Sequence, residues 1–297
     1  MNHPSYNATP NGEDGVMLVD SLMLMMEQER TTYAICNCLN SNPTHTTGRP
    51  ALITPDERAK IVDWCYTIVD QCQYNRENVA IAMNIVDRFA NEPSSRDVLR
   101  DQMKYQLVAV TALYISNKLY EQFVIGSDGF SALTQGMYSV EEIEAMELRI
   151  LHCLSWRLCP PTALQIGYRI LALINVGKIR VEKAMWHSLQ DEIAYQIEIS
   201  IPENYFTTEW PSTVAMAAIL NAIESVGRKC YEDLIKGLLR VLKVFHFDSP
   251  IALLAAKAQL QYLVEENDNQ HDDNNVPEIT QDRATATEMS EMVTSLL

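Results

Sequence analysis

The sequence predicts an all-α fold: two five-helix domains in tandem, preceded by an N-terminal helix and followed by a disordered acidic tail. Three observations carry this. The chain has 297 residues and is 47% hydrophobic, yet holds only 10 glycines and 12 prolines, sparse for a turn-rich β-protein and natural for helices. Its apolar residues recur at helical spacing between recognisable capping signals. Finally, two stretches, Leu107–Ile115 (LVAVTALYI) and the PSTVAMAAIL of 211–220, are apolar or small on every side, so each is expected to be surrounded by other helices. A chain of this length exceeds one ordinary core, and two surrounded helices imply two cores.

The elements follow in order. Residues 1–15 are polar and read as a disordered lead. A methionine-rich amphipathic helix is expected near 16–39, from Val19, Leu22, Met23, Met26 and Tyr33, before the breaker SNPTHTTGRP. Thr54, Pro55 and Glu57 then give an N-cap, a proline at the first helical position and a capping-box glutamate. The helix they open carries the stripe Ile61, Trp64, Cys65, Ile68, Val69 and Cys72. A second follows with Val79, Ala82, Met83, Val86, Phe89 and Ala90, and ends near NEPSS. After the surrounded helix comes a loop with Gly126, Gly129 and Gly136. Ser139 and Glu142 form another capping box, ahead of Ile143, Met146, Ile150, Leu151 and Leu154. WRLCPPT (156–162) punctuates the chain, and a comparable series follows at 163–174, 179–200, 212–226, 229–245 and 249–266. The expected organisation is an extension over 1–50, domains over 51–160 and 161–266, and a tail over 267–297.

Charge narrows the function classes. The net charge is −16, and half of it lies in the tail, where nine acids face Arg283 alone after Val264; residues 54–264 carry −5. No run of lysine or arginine supplies the local basic patch that a nucleic acid or anionic membrane would need, so neither is expected as the partner. The seven cysteines (36, 38, 65, 72, 153, 159, 230) are odd in number and irregular in spacing, as in a reducing compartment. Cys36 and Cys38 form a C-x-C without a second pair or a nearby histidine, so no metal or other cofactor is expected. The polar N-terminus lacks the regions of a signal peptide, and no apolar run approaches a membrane span; a soluble intracellular protein is expected.

Four charges stand where apolar stripes should be. Arg58 lies one turn before Ile61 and Cys65, and Asp87 one turn after Met83. An unpaired buried arginine is costly, so the two are expected to form an internal ion pair between helices. Lys118 ends the surrounded helix and Glu147 falls between Ile143 and Ile150. Such charges either pair with each other or face a partner at an interface, and the residues alone leave both readings open. No activated nucleophile, phosphate-cradling loop or metal set accompanies them, so a non-enzyme that grips another protein is expected.

The segments ERAKIVDWCYTIV, AMNIVDRFAN, KYQLVAVTALYISNKLYE and YSVEEIEAMELRILHCLSWRLCPPT together resemble the cyclin box, over about residues 52–162. The second half resembles the C-terminal cyclin fold in layout, with PSTVAMAAI its best piece. The resemblance implies a regulatory subunit that binds and activates a cyclin-dependent kinase in cell-cycle progression, placed in nucleus and cytoplasm, with kinase substrates or inhibitors as further partners. It implies that Arg58 and Asp87 are the internal ion pair and that Lys118 and Glu147 are charged contacts to the kinase. Ile115, Leu119, Leu151, Trp156 and Leu158 match apolar positions of that interface, on the exposed sides of the third and fifth helices. Ile61, Trp64 and Gln106 match a patch that docks substrates and inhibitors in cell-cycle cyclins. Glu57 and Lys60 stand where that patch is usually apolar, and Thr67 replaces an acid. Leu119-Tyr120-Glu121 keeps half of a usual acidic pair. The N-terminal helix resembles, loosely, the lead-in of D-type cyclins, and Arg49-Pro50-Ala51-Leu52 has the bare R-x-x-L of a degradation signal. The same fold also serves non-activating scaffolds and transcription-factor subunits of the TFIIB type; the latter need basic faces, which 54–264 lacks.

Overall fold

A computed structural model describes residues 12–35, 53–176, 182–225, 228–245 and 250–272. The C-x-C at Cys36 and Cys38, the Arg49–Leu52 motif and the tail beyond Asp272 lie outside the described residues. Every described element is helical, and the chain divides into two compact units. One comprises Glu27–Thr162 with Ile201–Trp210; the other comprises Met1–Met26, Ala163–Ser200 and Pro211–Leu297.

Helix α1 is Gly12–Arg30, so it starts earlier and stops sooner than the 16–39 expected from its stripe. The stop has a local cause. Thr31 bonds back to the Glu27 carbonyl through its hydroxyl at 2.8 Å, and Tyr33 N–H reaches the Gln28 carbonyl at 3.0 Å, which closes the last turn.

In the unit that contains residues 53–162, α2 (Pro55–Gln71) opens on the expected capping box. Glu57 N–H donates to the Thr54 hydroxyl at 3.3 Å, and Thr54 N–H donates to the Glu57 carboxylate at 2.9 Å. The helix ends in a Schellman motif: Gln73 takes φ +56°, and Tyr74 N–H donates to the Val69 carbonyl at 2.8 Å. Helix α3 (Glu77–Asn91) and a 3-10 turn (Pro93–Arg100) lead to α4 (Gln102–Tyr120), capped by the Asp101 carboxylate on Lys104 N–H at 3.2 Å. Every residue of α4 from Val108 to Asn117 is buried, and its small residues, Ala109, Ala112 and Ser116, let α3 and α6 approach closely. The thiol of Cys65 is fully buried, which pushes it up to about 12 and leaves it a small apolar group.

The glycine-bearing segment after α4 is not simply a loop. It contains α5 (Ser127–Leu133), a short helix that buries Phe130 against Tyr114, with ring centroids 5.3 Å apart. Helix α6 (Val140–Cys153) then opens on the Ser139/Glu142 capping box. The segment Ile201–Trp210, expected in the second domain, groups with this unit, and Arg58 donates from Nη1 to the Ile201 carbonyl at 2.7 Å.

The other unit holds α7 (Ala163–Val176), α8 (Lys183–Ser200), α9 (Pro211–Ser225), α10 (Arg228–Val244) and α11 (Pro250–Asp272). Here α9 takes the central place, with every residue from Ser212 to Ile223 buried. Helix α11 continues past the expected boundary at 266, since the sequence from 266 to 272 contains no glycine or proline to break it. Lys257 of α11 pairs with Glu224 of α9 at 2.8 Å, and Asn221 donates its amide to Gln196 at 3.0 Å and to the Lys257 carbonyl at 3.2 Å.

Candidate functional site

The last turn of α4 and the middle of α6 pack together, and this brings Lys118 and Glu147 into contact at 2.7 Å. The lysine side chain is 42% exposed and the glutamate 16%. The ammonium also lies 4.8 Å over the Tyr114 ring. Partial burial opposes its charge, and the Glu147 carboxylate with the Tyr114 ring more than restores it, so the pKa of Lys118 sits above its ordinary value. Of the two readings that the residues left open, the geometry makes the pair. The ammonium stays partly open to solvent.

Large apolar side chains surround this pair in sequence and are open to solvent. Leu119 and Tyr120 follow Lys118 and are exposed, Leu148 follows Glu147, and Leu151 is partly buried one turn on. Trp156 is 65% exposed and sits in an unusual backbone. After α6, Ser155 and Trp156 both take left-handed conformations, φ +51° and +61°, which costs on the order of 1–3 kcal/mol each for residues with a side chain. The turn holds because Trp156 N–H donates to the Leu151 carbonyl at 2.9 Å and Arg88 donates to the Arg157 carbonyl at 2.8 Å. Arg88 is itself stacked on the Tyr33 ring at 4.8 Å.

Two residues matched to this surface do not lie on it. Ile115 is 2% exposed and Leu158 6%, and both belong to the unit's apolar core. Ile115 sits in the stretch of α4 that is buried all round; Leu158 packs inward where the chain leaves the Trp156 turn. They support the surface from beneath.

Arg58 and Asp87 form a two-pronged pair, Nε to Oδ1 at 3.1 Å and Nη2 to Oδ2 at 2.8 Å. Burial works against the guanidinium charge, and Asp87 outweighs it, so the pKa of Arg58 is raised. With Nη1 on the Ile201 carbonyl, this group is internal and has a structural role.

Ile61, Trp64 and Gln106 come together along one groove of about 420 Å³ between α2, α4 and the segment after α5. Glu57 and Lys60 form part of its wall. Tyr138 closes the other side, donating its hydroxyl to the Met103 carbonyl at 2.8 Å, with Gln106 Oε1 3.2 Å from the same oxygen. The Glu57 carboxylate is engaged in the α2 capping box, and Thr67, which stands for an acid, turns its hydroxyl back to the Asp63 carbonyl at 2.9 Å.

The sequence reading missed the use made of Glu121. Its carboxylate accepts from Asn75 N–H and from Asn78 Nδ2, both at 2.7 Å, and Asn78 also donates to Asn117 Oδ1 at 2.9 Å. The only hint was the run of polar residues QYNREN between two apolar stripes. Among the described residues, no cluster of histidine, cysteine, aspartate and glutamate could hold a metal ion, and no helix is long and apolar enough to cross a membrane.

The chain is similar to known proteins. The family model for the cyclin N-terminal domain matches residues 20–159. A G2/mitotic-specific cyclin-B1 of Oryzias javanicus is 28% identical over 204 residues, 67% of this chain and 47% of that protein. A G2/mitotic-specific cyclin-B of Arbacia punctulata is 30% identical over 183 residues, 62% of this chain and 40% of that protein. Cyclin-A2-2 of Arabidopsis thaliana is 25% identical over 170 residues, 57% of this chain and 37% of that protein. The chain thus spans under half the length of these relatives. The X-ray structure of a viral cyclin from herpesvirus saimiri matches at a TM-score of 0.55 and 15% identity, covering 83% of this chain and 97% of that one, a likeness of fold.

Proposed function

We propose that this chain, which belongs to the cyclin family, is a non-enzymatic regulatory subunit that binds and activates a cyclin-dependent kinase in the control of cell division. The observation that carries the reading is the Lys118–Glu147 pair, which joins two packed helices and is followed in sequence by the exposed Leu119 and Tyr120 on one and Leu148 on the other, with the exposed Trp156 just after the second. A central charge pair among aromatic and aliphatic side chains has the make-up of a protein-binding surface. Monomeric proteins rarely leave such residues together in water. Activation then follows from differential affinity: a surface that fits the kinase's active conformation better than its inactive one raises the active share. The groove lined by Ile61, Trp64 and Gln106 gives kinase substrates or inhibitors a second place to dock. Action in both nucleus and cytoplasm belongs to the same reading.

The test is recovery of the tagged chain from cells, followed by an assay of the recovered material on a histone-type substrate. Co-purification of an active cyclin-dependent kinase is the expected result. A kinase that comes down inactive would favour a scaffold, and the absence of any kinase would defeat the reading.

A further inference from the structure

The chain between α4 and α5 leaves the proposed kinase surface and carries Phe123, the most exposed of the large hydrophobic side chains described, at 85%. An aromatic ring left in water at a loop tip would be a simple liability if the loop wandered. This loop is held at both ends. At its start, Glu121 caps α4 and accepts from Asn75 N–H and Asn78 Nδ2, each at 2.7 Å. At its end, Ile125 N–H donates to the Tyr74 hydroxyl at 3.0 Å. The Ile125 side chain packs against the core beside Gly129, where any Cβ would collide with it. Tyr74 and Asn75 come from the α2–α3 connection, whose own path is set by the Schellman turn at Gln73, and Asn78 comes from the first turn of α3.

We propose that the α2–α3 connection is a bracket that presents Phe123, with Val124 beside it, as a preformed anchor for the kinase; the anchor role rests on the kinase reading above. Glu121 and Tyr74 are the positioning residues. Phe123 lies three residues after Tyr120 without an intervening helix, so the loop starts from the end of α4 that carries Lys118, Leu119 and Tyr120. A loop whose backbone is already held at both ends loses less freedom on binding, and an aromatic side chain carried on it is the kind of residue that dominates interface energetics.

Amide exchange followed residue by residue in the full-length chain tests the bracket without any partner. Tyr74→Phe is expected to speed exchange at Ile125, and Glu121→Ala to speed it at Asn75, each by about tenfold or more, since each removes the acceptor of that amide. Unchanged exchange in both variants overturns the bracket. For the anchor, the probe is the purified kinase subunit that co-purifies with the wild-type chain. Phe123→Ala is expected to raise its dissociation rate by about tenfold or more, with the thermal midpoint of the free chain unmoved because the ring is exposed. Tyr74→Phe is expected to slow association, and Tyr74→His, which retains a hydrogen-bonding ring, to restore part of it. Wild-type kinetics in Phe123→Ala overturns the anchor while leaving the kinase reading intact. If the wild-type chain retains no kinase, the kinase reading and the anchor fall together, and the exchange data still decide the bracket.

Discussion

Lys257 and Glu224 meet at 2.8 Å with side chains only 8% and 9% exposed, an ion pair inside the unit built on α9. Its satisfaction is incomplete: among the described residues, Glu224 Oε1 and Asn221 Oδ1 have no donor. Breaking such a pair from one side strands a buried charge. Lys257→Met alone is therefore expected to lower unfolding stability by about 3–5 kcal/mol, while Lys257→Met with Glu224→Leu loses far less. Urea titrations of the two variants at neutral pH make the comparison; equal losses would show that the charges do not act as a pair.

The Lys118–Glu147 pair behaves differently because it is partly open to solvent. Reversing either charge is expected to cost under about 1 kcal/mol of stability and to abolish stable kinase capture. Exchanging the two, Lys118→Glu with Glu147→Lys, rebuilds the internal pair. If both residues also meet the kinase, the exchanged chain folds as well as wild type and still fails to bind. Restored binding in the exchanged chain would confine the pair to an internal role.

Gln73 occupies the left-handed position of the Schellman motif at φ +56°. Glycine takes that conformation without a side-chain clash, at some loss of unfolded-state entropy. Gln73→Gly is expected to raise the unfolding free energy by roughly 0.5–1 kcal/mol, read as a higher denaturation midpoint with an unchanged slope.

Burial pushes the Tyr138 hydroxyl up to about 12, with nearby Asp101 and Glu142 adding to the shift. A tyrosine whose folded pKa exceeds its unfolded value, near 10, holds its proton in the folded state after the unfolded chain has lost it. Its contribution is thus undiminished below about pH 10 and declines between there and about pH 12. Tyr138→Phe is expected to flatten that part of the stability curve. At neutral pH it costs about 1 kcal/mol through the lost bond to the Met103 carbonyl. A slope identical to wild type in alkaline denaturation would count against this account.

Much of the fold could be read from residues because its signals are local. The boxes at Thr54/Glu57 and Ser139/Glu142 need only four adjacent positions, and the surrounded helices show in their lack of any polar side. Helix α5 was hidden because three glycines mask it, and what sustains it is Phe130 against Tyr114, a contact between elements. The Lys257–Glu224 pair and the use of Glu121 by Asn75 and Asn78 were hidden for the same reason: each joins helices far apart in the chain. Ile115 is a different case. Its place in the run that ends the surrounded helix already marked it as core, and matching by family position placed it on the surface instead.

The hydrogen bond from Arg58 to the Ile201 carbonyl spans 143 positions of chain. During synthesis on the ribosome, every helix from α2 to α6 emerges before the acceptor that finishes this arginine's coordination. While α7 and α8 are made, that guanidinium nitrogen has water in place of its folded acceptor. A nascent chain stalled at residue 162 would hold every helix from α2 to α6 and still be incomplete, exposed for that interval to chaperones and proteases.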